Sequence, residues 1–313
     1  MVFVRVRSIF CLLLGACLPL FAGGDPLVRV LMVGDSWADF MWQDRTMRTT
    51  FAENGRPDIV EEGTQTAEAG TTAAEWVAPD RLATIDAELV RLPDLQVVQL
   101  TVGGNDILAG ASGGGWHTGL TMEEEEQLFA RVLGDVETVI DHILAADPDI
   151  QVLVSLYDYP NFEGAADFFC GPLHDDMGEP SPLQLNQLQT DFTERAMLAF
   201  EGRSRVHLVV HLGLMQFTYG FPDLDIDPGE LAPPGRLDLP SPRPAMRFFN
   251  SDCIHLTSEG HRVVGQNLWD GFFVDFFCLL TEQIAERVAR WPELTVVDLV
   301  ADQNRACPPK TVH

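Results

Sequence analysis

The chain has 313 residues, 46% of them hydrophobic, which is ample for one large core and at most two domains. Its formal charge is -27, and Lys310 is the one lysine among 20 basic residues, so the surface repels nucleic acid and anionic membranes and a nucleic-acid partner is excluded. The charge says nothing about chemistry, because a solvated acidic surface is sufficient to account for it.

The first residues, "MVFVRVRSIFCLLLGACLPLFAGG", place two arginines before an apolar run from Ile9 to Phe21 and then small residues. That is the pattern of a secretory signal peptide, too short to span a bilayer comfortably. The expected division is a signal over 1–22, cleaved after Ala22, and a single domain over 23–313. "LGAC", ending at Cys17, also fits a bacterial lipoprotein signal, which would tether the protein through lipidated Cys17. A secreted or periplasmic location is expected, with a lipid anchor in the bacterial envelope as the alternative.

Five apolar segments then read as buried parallel strands: 28–34, 58–62, 95–102, 150–157 and 205–213. Helical stretches fall near 37–54, 72–91, 121–146 and 184–201, with a last one over about 257–289. Strands alternating with helices predict right-handed β-α-β units and an α/β fold, a parallel sheet covered on both faces. No repeat or linker divides the chain. Residues 214–250 are dense in proline and read as a long loop, neither helix nor strand; its apolar residues favour a packed wall over a free tail.

In such sheets functional groups gather at the carboxyl ends of the strands. Four loops at that edge carry candidates. Ser36 follows the first strand in "GDSW", Gly70 follows the second in "AEAGTT", and Asn105 follows the third in "GGND". Asp252 and His255, in "SDCIHL", precede the last helix. A serine hydroxyl is a weak nucleophile until a base takes its proton, which is the role that suits His255. Asp252 could hold the imidazole in the required tautomer. The N–H groups of Ser36 and Gly70 and the side-chain amide of Asn105 could receive an oxyanion. Each residue also has an ordinary reading: Ser36 and Asp252 as helix caps, Asn105 as a turn residue, His255 as a surface histidine.

Taken together and in this order, the four blocks resemble the GDSL, or SGNH, hydrolase family, from about Val28 to Leu268. The resemblance implies a flavodoxin-like three-layer α/β/α sandwich on a five-stranded parallel sheet. It also implies ester or thioester hydrolysis through an acyl-serine, with Ser36 as nucleophile and Gly70 and Asn105 in the oxyanion hole. Asp252 and His255 fall on the family's acid and base. Two departures stand out. Trp37 occupies the usual leucine position after "GDS", and Gln65 replaces an asparagine before the glycine block, which leaves Gly63 as a competitor for Gly70.

The expected activity is therefore a metal-free and cofactor-free carboxylic ester hydrolase. Phe217, Phe221, Leu231, Leu237, Phe248 and Phe249 of the proline-rich segment could form an acyl wall, which favours lipid or medium-chain esters. A carbohydrate O-acetylesterase or acetyltransferase acting on an acylated glycan is the alternative. A non-catalytic binding module on the same fold is the alternative of another class.

Other signals are weaker. Asp223, Asp225 and Asp227 have alternate spacing, but Pro228 and Pro234 stand where a calcium loop needs glycine and glutamate. His207 and His211 fall four apart in the fifth strand and suit core or edge packing. His117 lies near Asn105 in sequence without an assigned role, and Glu123 to Glu126 suit the start of a helix. With the signal removed, Cys170, Cys253, Cys278 and Cys307 remain, an even number in an oxidising compartment. Cys170 and Cys253 both fall at the active-site edge, and Cys278 in the last helix precedes Cys307 in the tail, which predicts the pairs Cys170–Cys253 and Cys278–Cys307.

Overall fold

A computed structural model describes residues 25–163, 170–247 and 253–277 of the chain. Its centre is a sheet of five parallel strands: β1 (Leu27–Gly34), β2 (Ile59–Glu62), β3 (Val97–Thr101), β4 (Gln151–Ser155) and β5 (Val206–Val209), in the order β2-β1-β3-β4-β5. The inner strands are buried on both faces, as near-continuous runs such as Val30-Leu31-Met32-Val33 and Val97-Val98 require. This is the flavodoxin-like order, and it places the topological switch between β1 and β3. The crevice at the carboxyl ends of those two strands is where Ser36 and Asn105 leave the sheet.

Helices cover both faces. On one side lie α1 (Ser36–Gln43), α2 (Thr46–Glu53) and, from the far end of the chain, a long helix over Ser258–Leu268 that continues through a π turn at Trp269–Phe273. The other side carries α3 (Ala73–Trp76), α4 (Pro79–Arg91), α5 (Gly104–Ile107), α6 (Gly110–Gly113) and α7 (Met122–Ala146). Continuing along the chain come α8 (Cys170–Asp176), α9 (Pro182–Phe200) and α10 (Leu214–Tyr219), and the helix at Ser258–Leu268 is α11. In α7, Leu128, Val132, Val136, Val139 and Ile143 recur at three- and four-residue spacing and are buried, so one stripe faces the core. A capping box between Thr121 and Glu124 starts that helix. Across the sheet, Phe51 of α2 stands edge-on to Phe273 at 5.1 Å and to Trp269 at 6.2 Å. Such ring pairs add roughly 0.5–1.5 kcal/mol each to the burial of their area.

The expected strands and layers are present, with differences at the ends. The stretch near 37–54 is two helices, broken where Arg45 takes a left-handed conformation. The stretch 72–91 is also two, because Pro79 forces Ala78 before it into an extended conformation. β5 stops at Val209, so His211 lies in the following turn instead of the strand. Helix α10 occupies the start of the segment expected to be loop; it contains no proline, and two 3-10 turns follow at Pro222–Leu224 and Arg243–Ala245. Residues 1–22, Asp252, Phe248, Phe249, Cys278 and Cys307 lie outside the described residues. Among the described residues, no helix is long and apolar enough to cross a membrane.

Candidate active site

β1 ends at Gly34, whose φ is +141°; a Cβ there would lie 1.8 Å from the carbonyl oxygen of Thr101 on β3. Only glycine fits. The chain then turns through Asp35, which is extended (φ -89°, ψ -156°), and its carboxylate accepts from the N–H of Trp37 at 3.0 Å. Asp35 is therefore the N-cap of α1, and Ser36 is the first helical residue. The ordinary reading of Ser36 as a cap is ruled out. Its hydroxyl instead meets Nε2 of His255 at 2.6 Å, bringing together two residues 219 positions apart.

The segment carrying His255 is held from several sides. Cys253 is joined to Cys170 by a disulfide, with Cα atoms 5.9 Å apart. The carbonyl of Cys253 accepts from the N–H of Asn161 at 2.7 Å, and that of His255 from the N–H of Arg247 at 2.8 Å. The indole N–H of Trp37 donates to the carbonyl of Ile254 at 3.0 Å. The imidazole of His255 stands edge-on to Phe40, with centroids 4.9 Å apart. Asp252, the expected acid, is outside the described residues.

The third block ties itself to the second. The side-chain amide of Asn105 donates to the carbonyl of Thr71 at 2.8 Å, and the carboxylate of Asp106 accepts from the N–H of Ala73 at 2.7 Å. Thr71 and Ala73 flank the turn that begins at Gly70, where φ is +85°. This turn also pairs with the end of β1, through the N–H of Glu68 and the carbonyl of Gly34 at 2.9 Å. Gly63, the competitor for the second block, donates its N–H to the carboxylate of Glu62 at 2.9 Å, so that group is already engaged. The N–H of Ser36, in the first turn of α1, has no acceptor within its helix.

Two residues not singled out from the sequence complete the base of the site. The hydroxyl of Tyr157, just beyond β4, donates to the buried carboxylate of Asp35 and accepts from the N–H of Gly104 at 2.9 Å. This chain links the serine turn to the loop bearing Asn105. Burial raises the Asp35 carboxyl to a pKa of about 7, against the opposing bonds from Tyr157 and the Trp37 N–H. Burial, together with the charge of Asp35, also pushes the Tyr157 hydroxyl upward. The signal that could have found Tyr157 is its position at the carboxyl end of a strand.

A small cleft opens beside the serine, with Ser36, Asn105, Leu108, Tyr157, Pro160 and Gln189 among its walls. Of the expected acyl wall, the described residues Phe217, Phe221, Leu231 and Leu237 do not line this cleft. Their segment is held against α9 and α10, where the Asn186 amide donates to the carbonyl of Leu237 at 2.9 Å and the Gln216 amide to that of Arg236 at 3.0 Å.

The remaining candidates have local partners. His211 is buried between Ser155 (2.9 Å) and Asn267 (2.9 Å), and burial lowers its pKa to about 3. His207 pairs with Gln151 at 3.1 Å and packs on Phe272. His117 accepts from the N–H of Gly119 at 3.1 Å, away from the cleft. Glu123, Glu124 and Glu125 form the acidic first turn of α7. Asp223 and Asp225 sit in and just after a 3-10 turn, and among the described residues no group of three His, Cys, Asp or Glu could hold a metal ion.

No family model matches the chain, and no curated protein sequence matches it. Solved structures with similar folds include a lipase from goat rumen metagenome, at 12% identity over 79% of this chain and 97% of that one, with a TM-score of 0.47. A Clostridium thermocellum family 3 carbohydrate esterase is similar at 14% identity over 80% and 98% of the two chains, with a TM-score of 0.40. The periplasmic domain of a lipopolysaccharide acetyltransferase from Salmonella ser. Paratyphi A is similar at 12% identity over 78% and 83%, with a TM-score of 0.46.

Proposed function

We propose that the protein is a serine hydrolase of carboxylic esters that works through an acyl-Ser36 intermediate, as its resemblance to the GDSL/SGNH family implies. One observation carries this reading: Ser36 is released from capping by Asp35, and its hydroxyl lies 2.6 Å from Nε2 of His255. A serine of merely structural purpose at this turn would serve as the cap itself.

In the proposed reaction Nε2 of His255 takes the hydroxyl proton as Oγ of Ser36 bonds to the ester carbonyl carbon. The carbonyl oxygen becomes an oxyanion, received by the N–H groups of Ser36 and Gly70 and by the Asn105 amide. The bond from Asn105 to Thr71 fixes the orientation of that amide and leaves its second N–H for the oxyanion. Collapse of the tetrahedral species breaks the carbon–alkoxy bond, and the alcohol leaves with the proton held by His255. Water repeats the steps on the acyl-serine and releases the acid. Asp252 is assigned to the other ring nitrogen of His255 on the family resemblance and its position three residues earlier.

A general base contributes roughly 10²–10⁴-fold and each oxyanion donor roughly 10²–10³-fold to such reactions. The apolar run at the N-terminus and the disulfide support export to an oxidising compartment. Incubation with a fluorescent fluorophosphonate and with short p-nitrophenyl esters tests the mechanism. Labelling and turnover in the parent, both lost in Ser36→Ala, are expected. Well-folded parent protein that takes no label would overturn the hydrolase reading and bring the binding module forward.

A further inference from the structure

One wall of the cleft beside Ser36 is a glutamine. Gln189 lies on the inward face of α9, between Leu185 and Phe192, and is 4% exposed. Its side-chain amide forms no hydrogen bond with any other described residue, yet it is one of the walls of the cleft. The N–H groups of the neighbouring buried amides are instead taken up by main-chain carbonyls. Asn186 donates to the carbonyls of Leu237 and Leu239, at 2.9 and 2.6 Å. Gln216 donates to the carbonyls of Arg236 and Leu239 and accepts from the N–H of Arg236 at 2.8 Å. A primary amide offers two donors and an acceptor, and those of Gln189 are not among the polar atoms sealed from solvent, so they are open to the cleft. An apolar residue at this position would complete the stripe that Leu185, Leu188 and Phe192 begin.

Building on the acyl-serine reading, we propose that Gln189 hydrogen-bonds the acyl portion of the substrate. The natural esters then carry a hydroxyl group on a short acyl chain. The side of the cleft decides which half of the ester it receives. The leaving alcohol takes its proton from His255, so it departs on the side of that ring. The cleft walls include Asn105, Leu108 and Gln189, with Trp37 and Ile254 on the side of the base, while His255 and Gly70 themselves do not line it. A plain alkyl chain entering this space would leave the Gln189 amide without a partner, so specificity rests on the polar group and not on chain length.

The test uses p-nitrophenyl esters of butyrate and of 2-, 3- and 4-hydroxybutyrate with the parent and with Gln189→Met, a volume-conserving change that removes the amide. Fluorophosphonate labelling and hydrolysis of p-nitrophenyl acetate run alongside. The parent is expected to favour at least one hydroxy ester over butyrate by about tenfold or more in kcat/KM. Gln189→Met is expected to lose or reverse that ratio, a comparison made within each protein and so independent of its absolute activity. A parent that labels normally but prefers none of the hydroxy esters, or a Gln189→Met that keeps the parent's preference, would overturn this specificity and leave the acyl-serine reading standing. A parent that takes no label overturns both. Should Gln189→Met fail to label, Gln189→Leu provides the same comparison.

Discussion

The indole N–H of Trp37 donates to the main-chain carbonyl of Ile254 at 3.0 Å, so the residue after the candidate nucleophile holds the residue before the candidate base. The same ring stands edge-on to Tyr157 at 5.3 Å. The bulk that marks a departure from the family's leucine thus serves as a brace across 217 positions of sequence. Trp37→Phe keeps most of the ring and removes the bond, which is worth about 1 kcal/mol. We expect kcat to fall by roughly tenfold with KM little changed and a Tm loss of a few degrees. Equal kcat in Trp37→Phe and the parent would show that the bond does not position His255.

The helix cap and the nucleophile are separate residues, and their variants should separate as well. Ser36→Ala removes no capping bond, so its Tm should match the parent's while ester hydrolysis drops by roughly 10⁴-fold or more. Asp35→Ala loses the bond from the Trp37 N–H and the one from Tyr157, and should cost about 1–3 kcal/mol by chemical denaturation. The assignment of the cap fails if Ser36→Ala is the less stable of the two.

The pH dependence of stability has a defined sign. Asp35 has a pKa near 7 in the folded protein against 3.8 for the free carboxyl, so folding favours its protonated form. Its contribution is fully present below pH 4 and is lost as the pH rises through 7. Asp35→Asn removes this titration. The Tm of Asp35→Asn minus that of the parent should therefore climb between about pH 4 and 7 and level off above, as thermal unfolding across that range would record. A flat difference would mean that Asp35 is not held in the way its burial implies.

Cys170 and Cys253 are 83 positions apart, and their cross-link restrains the unfolded chain as well as the loop before His255. Replacing both by serine should cost about 2–4 kcal/mol, read by urea titration. Turnover should fall at temperatures where the sheet, followed by far-UV circular dichroism, is still intact. Simultaneous loss of both signals would show that the cross-link serves the whole fold and not this loop in particular.

Much of the fold was legible because its signals are local. Runs such as Val30–Val33 and Val97–Val98 announce buried strands, and the caps at Thr121 and Ser181 announce helices. Order in the sheet was legible only through the resemblance, since nothing in a strand's own residues says that β1 lies between β2 and β3. The places of Phe217, Phe221, Leu231 and Leu237 were not legible for a related reason. Phe217 and Leu237 are apolar and precede the base in sequence, but where their segment goes is decided by the amides of Asn186 and Gln216, which capture its carbonyls elsewhere. Tyr157 offered only its place at the carboxyl end of a strand, and Gln189 offered nothing, because which residues face the cleft is decided by the packing of several elements. Their types and local spacing are those of ordinary core residues.

Gly34 has a consequence that reaches beyond its own turn. The space a side chain would need there is filled by the carbonyl of Thr101, two residues before the loop that leads to Asn105. One added methyl would wedge apart the two central strands, and it would displace the attacking oxygen and the group that receives the resulting charge in a single stroke. No compensating change in either loop could restore both, since the obstruction lies in backbone that every sequence shares. Mutational routes to new substrates on this scaffold can therefore run through the walls of the cleft, such as position 189. They cannot begin at 34.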